Sequence, residues 1–311
     1  MSKKLISIIS PCFNEELNIE ELYKRVTKAI APCTNYEFEY LFIDNASTDG
    51  TVDKLKGLLK EDLRIKVIVN TRNFGHIRSP YWGLIQTSGD ATIYLASDLQ
   101  DPPEMIPEFL DAWEQGYKVV LAVKPTSRSN GFMHFVRRSY YRLLNKISDI
   151  SITRDSTGFG LYDHSVIQQL RDIHDPYPFL RGLINELGYR IKEIPFDQPR
   201  RIKGISKNNF YTLYDVAMLG IISHSQVPLR LATFCGFILS IFSLLTAFFF
   251  LIYKLIYWNE FALGIAPIVI GMFFIFGILM GFIGLLGEYI GAIHTYVQKR
   301  PIVVEEERIN F

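Results

Sequence analysis

Hydrophobic residues follow three rhythms along this chain of 311 residues. In the first, short runs rich in β-branched and aliphatic side chains recur at Leu5 to Ser10, Tyr40 to Ile43, Ile65 to Val69, Ala91 to Leu95 and Val119 to Val123. Strands buried on both faces of a parallel sheet read this way. In the second, apolar positions return every three or four residues, as in Leu22, Val26 and Ile30 after Asn18, and Val52, Leu55 and Leu59 after Ser47-Thr48-Asp49. Such spacing lays them on one helix face behind a capping residue. The alternation predicts a doubly wound α/β sheet, whose ligands bind beyond the carboxyl ends of the strands, near a reversal of strand order. The polar residues at those ends are Pro11, Asn14 and Glu15, then Asp44 and Asn45, Arg72 and Asn73, and Asp98, Gln100 and Asp101. They converge on one crevice.

The third rhythm is no rhythm at all. Leu231 to Tyr253 and Phe261 to Gly287 are uncharged apolar runs, each longer than the roughly 20 residues that cross a hydrocarbon core. A polar stripe, which a buried core helix normally shows, is missing; between Phe237 and Tyr253 only Ser240, Ser243 and Thr246 relieve the run. Tyr257 and Trp258 in the short connection suit a membrane interface, and Lys203, Lys207 and Arg230 before the runs and Lys299 and Arg300 after them place both ends on the cytoplasmic side. The expectation is a multi-pass protein of the cytoplasmic (inner) membrane with a two-helix hairpin. Gly277-x-x-x-Gly281 and Gly287-x-x-x-Gly291 would let such helices pack closely, within one hairpin or in a homo-oligomer.

Between these regions the chain is harder to read. Phe132 to Ile147 is amphipathic and carries Arg137, Arg138 and Arg142; Asp155 to Gly160 is rich in turn formers; Lys192 to Lys207 is basic and broken by Pro195, Pro199 and Gly204, as an extended mobile loop would be. Phe210, Leu213, Tyr214, Ala217 and Ile221 share one face of a helix spanning 208–227, either a juxtamembrane helix at the lipid surface or an ordinary helix packed on the soluble domain. The expected domains are therefore 1–207 catalytic, 208–228 juxtamembrane, 229–296 transmembrane and 297–311 a cytoplasmic tail. A net charge of +1 argues against a nucleic-acid partner. Cys12, Cys33 and Cys235 have neither metal nor redox spacing, which suits a reducing compartment, and the six histidines show no metal-ligand spacing.

Taken singly, a carboxylate after a strand is a loop or cap residue. Together, Pro11-Cys12-Phe13-Asn14-Glu15, Asp44-Asn45-Ala46-Ser47-Thr48-Asp49-Gly50-Thr51, Arg72-Asn73-Phe74-Gly75 and Ser97-Asp98-Leu99-Gln100-Asp101-Pro102-Pro103-Glu104 resemble glycosyltransferase family 2. Arg201-Ile202-Lys203-Gly204-Ile205-Ser206-Lys207, Val227-Pro228-Leu229-Arg230 and Gly287-Glu288-Tyr289-Ile290-Gly291 extend the resemblance, over nearly the whole chain, to its polyprenyl-phosphate glycosyltransferases, among them dolichyl-phosphate mannose synthases and bacterial enzymes that glucosylate undecaprenyl phosphate.

The resemblance implies a glycosyltransferase-A fold, Rossmann-like with a mostly parallel sheet, and inverting transfer of one sugar from a nucleoside diphosphate donor, UDP-linked, to a polyprenyl phosphate. By position, Pro11, Asn14, Glu15, Asp44, Asn45, Arg72 and Asp98 would hold the nucleotide sugar, and Asp98 with Gln100 a Mg²⁺ or Mn²⁺ on the diphosphate. Arg137, Arg201 and Lys207 would take the acceptor phosphate; Asp98, Asp155, Arg201 and Lys207 are the catalytic candidates. Two departures stand out. Ala96 replaces the first acid of an Asp-x-Asp pair, and Gly158 and Gly160 stand where many relatives have Asp, a proposed base, and Arg. A base is dispensable for this acceptor, because a phosphomonoester is already largely dianionic at pH 7. His76, where relatives often have Lys, is a further candidate for substrate contact. Competing readings are a processive polysaccharide synthase, disfavoured because Gln168-Gln169-Leu170-Arg171-Asp172 lacks the Trp of a Gln-x-x-Arg-Trp motif, and a non-catalytic membrane protein that binds a sugar nucleotide or a partner.

Overall fold

All five apolar runs form strands within a residue or a few of the expected bounds. The computed structural model describes residues 3–124, 156–197, 227–257 and 265–311. Its elements run β1 (Lys4–Cys12), α1 (Ile19–Ile30), β2 (Tyr36–Asp44), α2 (Thr51–Glu61), β3 (Ile65–Asn70), α3 (Gly75–Ile85), β4 (Ala91–Tyr94), a 3₁₀ turn (Pro103–Met105), α4 (Ile106–Glu114) and β5 (Val119–Val123). Then come β6 (Ser156–Asp163), α5 (His164–Asp172), α6 (Leu180–Glu186), β7 (Ile191–Pro195), α7 (Val227–Ile256), α8 (Ile265–Val297) and β8 (Glu305–Ile309).

Among the described residues the strands form one mixed sheet in the order β7-β5-β6-β4-β1-β2-β3-β8. β1, β2, β3 and β4 are parallel neighbours, as are β5 and β7, whereas β6 and β8 run antiparallel to theirs. The chain moves outward from β1 to β3 and then returns to lay β4 on the other side of β1. That reversal opens a crevice between the carboxyl ends of β1 and β4. Alternate strand residues feed two cores: Ile6, Ile8 and Phe42 meet α1, α2 and α4 through Leu22, Val26, Leu55 and Phe109, while Ile9, Leu41 and Ile43 meet α3, α5 and α6 through Tyr81, Leu84, Leu170 and Ile184. Each such side chain, fully buried, contributes about 1.5–3 kcal/mol of transfer free energy.

Three expectations are corrected. The turn-rich segment before Gly160 continues as strand β6, bent by a register shift opposite Leu121 and Val123. The start of the basic loop is strand β7, paired with β5. The Asn18 side chain does not cap α1 but turns to Glu15. Sequence reading also passed over helices α3, α4, α5 and α6 and strand β8. Helix α3 has a weak apolar periodicity and contains Pro80, two features that conceal a helix. Strand β8 is short and charged, yet it completes the sheet beside β3.

Helices α7 and α8 are 30 and 33 residues long. Among the described residues, Ile278–Val297 is long and apolar enough to cross a membrane. Large apolar side chains such as Phe234, Phe237, Phe248, Phe249, Ile283 and Ile290 are exposed along both helices. Among the described residues nothing lies within 4 Å of where a Cβ would stand on Gly281, Gly287 or Gly291. The juxtamembrane segment 208–226 and Trp258 lie outside the described residues.

Candidate active site

Three loops build the crevice, and each contains one non-glycine residue in the left-handed region: Asn14 (φ 57°) after β1, Ala46 (φ 60°) after β2 and Leu99 (φ 61°) after β4. Residues with a Cβ rarely adopt this conformation unless their surroundings impose it, and they collect where a backbone is shaped for a ligand. The imposing contacts are explicit. Asn14 donates its N–H to Ser47 Oγ at 2.8 Å and accepts from the Thr48 N–H at 2.8 Å, locking the β1 loop to the β2 loop. Asn45 reaches across to the loop after β3: its Oδ1 accepts from the Phe74 N–H at 2.8 Å, and its Nδ2 donates to Asn73 Oδ1 at 3.0 Å and the Gly75 carbonyl at 3.2 Å. On the other side of the reversal, Ser97 Oγ donates to the Pro11 carbonyl at 2.7 Å.

The resulting cavity holds about 400 Å³ and is walled by Pro11, Phe13 and Glu15 from the end of β1 and its loop, Asn45 and Asn73 from the neighbouring loops, His76, Ser79 and Pro80 from α3, and Tyr94, Ser97 and Asp98 from the end of β4 and its loop. This volume suits a small-molecule ligand. Glu15 is steadied by Asn18 Nδ2, which donates to its Oε2 at 2.5 Å. Asp98 keeps its carboxyl at the wall, with Oδ1 accepting from the Gln100 N–H at 3.2 Å.

Asp44 and Asp101 are placed differently. The Asp44 carboxyl is buried and accepts from the Ser47 N–H at 2.8 Å and from Ser47 Oγ at 2.5 Å; burial pushes its pKa up against those two bonds. Asp101 is also buried, holds the Ala96 N–H at 3.1 Å, and is pushed up to about 7, by burial first and by the neighbouring Asp98 charge. His76 is pulled below the ordinary imidazole value, by desolvation first and then by the Arg181 charge. Arg72 lies outside the cavity wall, exposed, with its guanidinium 4.0 Å from the Phe74 ring centroid and Nη1 donating to the Asn73 carbonyl.

Pro11, Glu15, Asn45, Asp98 and His76 thus share one cavity, with Asn14 and Asp44 bracing its loops from behind. Gln100 follows Asp98 in the same turn. Arg137, Asp155, Arg201 and Lys207 lie outside the described residues. Sequence reading passed over Ser79, Pro80 and Tyr94. Ser79 and Pro80 arrive on the unrecognised α3, and Tyr94 was counted only as part of a strand.

The model of glycosyl transferase family 2 matches residues 7–171, the stretch that supplies every wall of this cavity. The chain belongs to glycosyltransferase family 2. It is similar to an uncharacterised glycosyltransferase of Synechocystis, 31% identical over 96% of this chain and 93% of the relative, and to the SfII prophage-derived bactoprenol glucosyl transferase of Shigella flexneri, 33% identical over 95% of this chain and 96% of the relative. Among solved structures it is similar to the mannosyltransferase PcManGT of Pyrobaculum calidifontis, at 15% identity and a TM-score of 0.46, over 97% of this chain and 89% of that one.

The chain is therefore a glycosyltransferase on the mixed α/β sheet of glycosyltransferase-A type that the family carries. Its departures from the family pattern are written into the backbone. Gly158 has φ +93°, and a Cβ on Gly160 would come within 2.1 Å of the Val120 carbonyl oxygen across the sheet. Strand β6 runs too close to β5 for an arginine at 160, and an aspartate at 158 would be strained. Ala46 carries a Cβ although the backbone there is left-handed.

Proposed function

We propose that this enzyme transfers one sugar, with inversion, from a UDP-sugar to undecaprenyl phosphate or a similar polyprenyl phosphate at the cytoplasmic face of the membrane, giving a polyprenyl monophosphosugar. The observation that carries the proposal is the relative named bactoprenol glucosyl transferase, whose match runs through the crevice residues and the two apolar helices alike, over 95% of this chain. Activity on a lipid phosphate joins a polar crevice to an apolar anchor in one chain.

The nucleotide sugar lies between Pro11, Asn14, Glu15, Asp44 and Asn45 on one side and Asp98 on the other, with Arg72 at the rim. Among the described residues no three His, Cys, Asp or Glu side chains gather to hold a metal unaided. Asp98 at the wall and the Gln100 amide nevertheless offer the hard oxygen donors that Mg²⁺ or Mn²⁺ takes together with diphosphate oxygens and water. When bound, such an ion offsets negative charge gathering on the departing diphosphate. Asp101 is not part of that set, because its carboxyl is buried against the Ala96 N–H. The acceptor phosphate arrives from the membrane side, held by Arg137, Arg201 and Lys207, and attacks already ionised, so Gly158 in place of an acid leaves the step intact.

The C-terminal strand supports a hairpin topology for α7 and α8. Residues before the helical pair, through β7, and residues after it, buried Val303 and β8, belong to the same sheet domain. Entry and exit of the helical pair are thus on one side, which requires an even number of crossings. At about 1.5 Å per residue each helix exceeds the roughly 30 Å hydrocarbon core, so each crosses once and both ends are cytoplasmic.

The test is direct. Purified protein is given a panel of radiolabelled UDP-sugars, undecaprenyl phosphate and Mg²⁺ or Mn²⁺, and lipid extracts are examined. A labelled lipid that forms with one donor and disappears with EDTA and with Asp98→Asn is expected. No labelled lipid from any donor, with UDP still bound, would instead favour the non-catalytic reading.

A further inference from the structure

The sheet order lays the site out as a line. Asn73, Asn45 and Pro11 follow β3, β2 and β1, Asp98 follows β4, and β6 comes next. β4 and β6 are antiparallel with Tyr94 opposite Gly160, so the Gly158 bend lies level with the residues just past β4, beside Ala96 and Asp98. There Arg181, half-buried near the start of α6, borders a small cavity with Gly158, Tyr162 and Asn185. The space that an acid at 158 would approach is bordered by a cation.

The charge of Arg181 also reaches the donor crevice. After desolvation, the larger cause, it adds to the lowering of His76, and it opposes the burial-driven rise of Tyr94; both of these residues line the crevice. Arg181 thus stands beyond Asp98 along the sheet, on the side opposite the Asn45 and Asn73 wall. In a single displacement with inversion, the nucleophile approaches the sugar from the side opposite the departing diphosphate. A dianionic nucleophile at that position needs a cation that the donor does not already use.

We infer that Arg181 binds the acceptor's phosphate. The inference rests on the proposed transfer to a lipid phosphate and assigns it, beside Arg137, Arg201 and Lys207, a further ligand carried by helix α6 of the catalytic domain. A guanidinium presents a planar fork suited to two phosphoryl oxygens at once, and Arg181 is half-buried beside the β6 residues Gly158 and Tyr162. In the transfer, a phosphate oxygen forms the new bond to the anomeric carbon while the bond to the diphosphate breaks. Arg181 neutralises the approaching phosphate and takes no proton.

The experiment compares full-length wild type, Arg181→Gln and Arg181→Lys in nanodiscs of uncharged lipid. With undecaprenyl phosphate varied at saturating donor, Arg181→Gln should raise the KM for lipid phosphate roughly 10–100-fold, as loss of a charge-assisted bond to a phosphoryl oxygen implies, with donor KM and UDP affinity within about twofold. Arg181→Lys, which keeps the charge and loses the fork, should recover part of the loss. A second arm needs no turnover: wild type should bind farnesyl phosphate in preference to farnesol, and Arg181→Gln should lose that preference. Equal losses for UDP and lipid phosphate, or wild-type values in the glutamine variant, overturn the inference. If wild type transfers no sugar, the proposed function fails and the binding arm still decides: a lost phosphate preference upholds the role of Arg181, a retained one ends it. If the glutamine variant does not fold, a KM rise in Arg181→Lys confined to the lipid phosphate upholds the role, and unchanged values overturn it.

Discussion

Replacing Asp101 with asparagine isolates the ionisation of one buried carboxyl. Asp101 is 2% exposed, accepts one N–H bond from Ala96, and is pushed from the ordinary 3.8 to about 7 chiefly by burial, with Asp98 adding to the rise and Lys124 opposing it. The folded protein therefore holds this proton more tightly than the unfolded chain does, and the carboxyl's contribution to stability is complete below about pH 4 and lost as pH rises through 7. Linkage with those two pKa values gives wild type a loss of about 2.5 kcal/mol from this group between pH 5 and pH 8. Asparagine keeps an oxygen for the Ala96 N–H and does not titrate. Thermal unfolding of both proteins, followed by tryptophan fluorescence in the same detergent from pH 5 to pH 8, should show the variant gaining on wild type by roughly 5–10 °C across that range. Comparing the two curves cancels the carboxylates whose pKa values fall on folding, such as Glu104 and Asp62, which act in the opposite direction. Parallel curves would refute the argument, since they would mean that Asp101 ionises in the fold as readily as in the unfolded chain.

Other substitutions test the backbone arguments. Ala46→Gly, at φ 60°, should stabilise by about 0.5–1 kcal/mol, the relief of a left-handed alanine less the added freedom of glycine in the unfolded chain, measured by thermal melting. Gly160→Ala should destabilise by about 3 kcal/mol, because the new Cβ forces β6 away from the Val120 carbonyl; a melting point equal to wild type would show that β5 and β6 part readily. Truncation after Pro301 removes buried Val303, the Trp82–Glu305 and Lys56–Glu307 bonds and the pairing along β3. It should lower the melting point by at least about 5 °C and promote aggregation through the bared edge of β3, visible by size-exclusion chromatography.

The first half of the fold was legible because its strands are fully buried and its helices amphipathic: Ile6, Ile8 and Ile9 leave little choice but a strand covered on both faces. Legibility failed where burial and periodicity separate. Helix α3 carries Pro80, and its inward residues are Tyr81, Gly83 and Leu84 rather than a clear stripe. Strand β8, Glu-Glu-Glu-Arg-Ile, has the composition of a solvated tail, and its pairing is specified by partners far away in sequence. The crevice followed the same division. Pro11, Glu15, Asn45 and Asp98 stand directly after recognised strands, whereas Ser79 and Pro80 arrive on helix α3, which motif reading does not reach. Asn45 and Asp44 look like ligand residues in the sequence, and in the structure their side chains also hold the loops that form the cavity.

Strand β8 also has a consequence in time. Asn310 donates to the carbonyls of Leu63 and Ile65, and 247 residues separate it from Leu63, an interval of roughly 10–50 s at ordinary rates of synthesis. Throughout that interval the β3 edge has no partner from its own chain, and it gains one only after both apolar helices have left the ribosome. Under the hairpin topology proposed above, an even number of crossings brings the closing strand back to the compartment that holds the rest of the sheet. On that proposal the β3 edge would be covered only in molecules whose two helices had threaded as a pair, which would tie completion of the sheet to completion of the anchor.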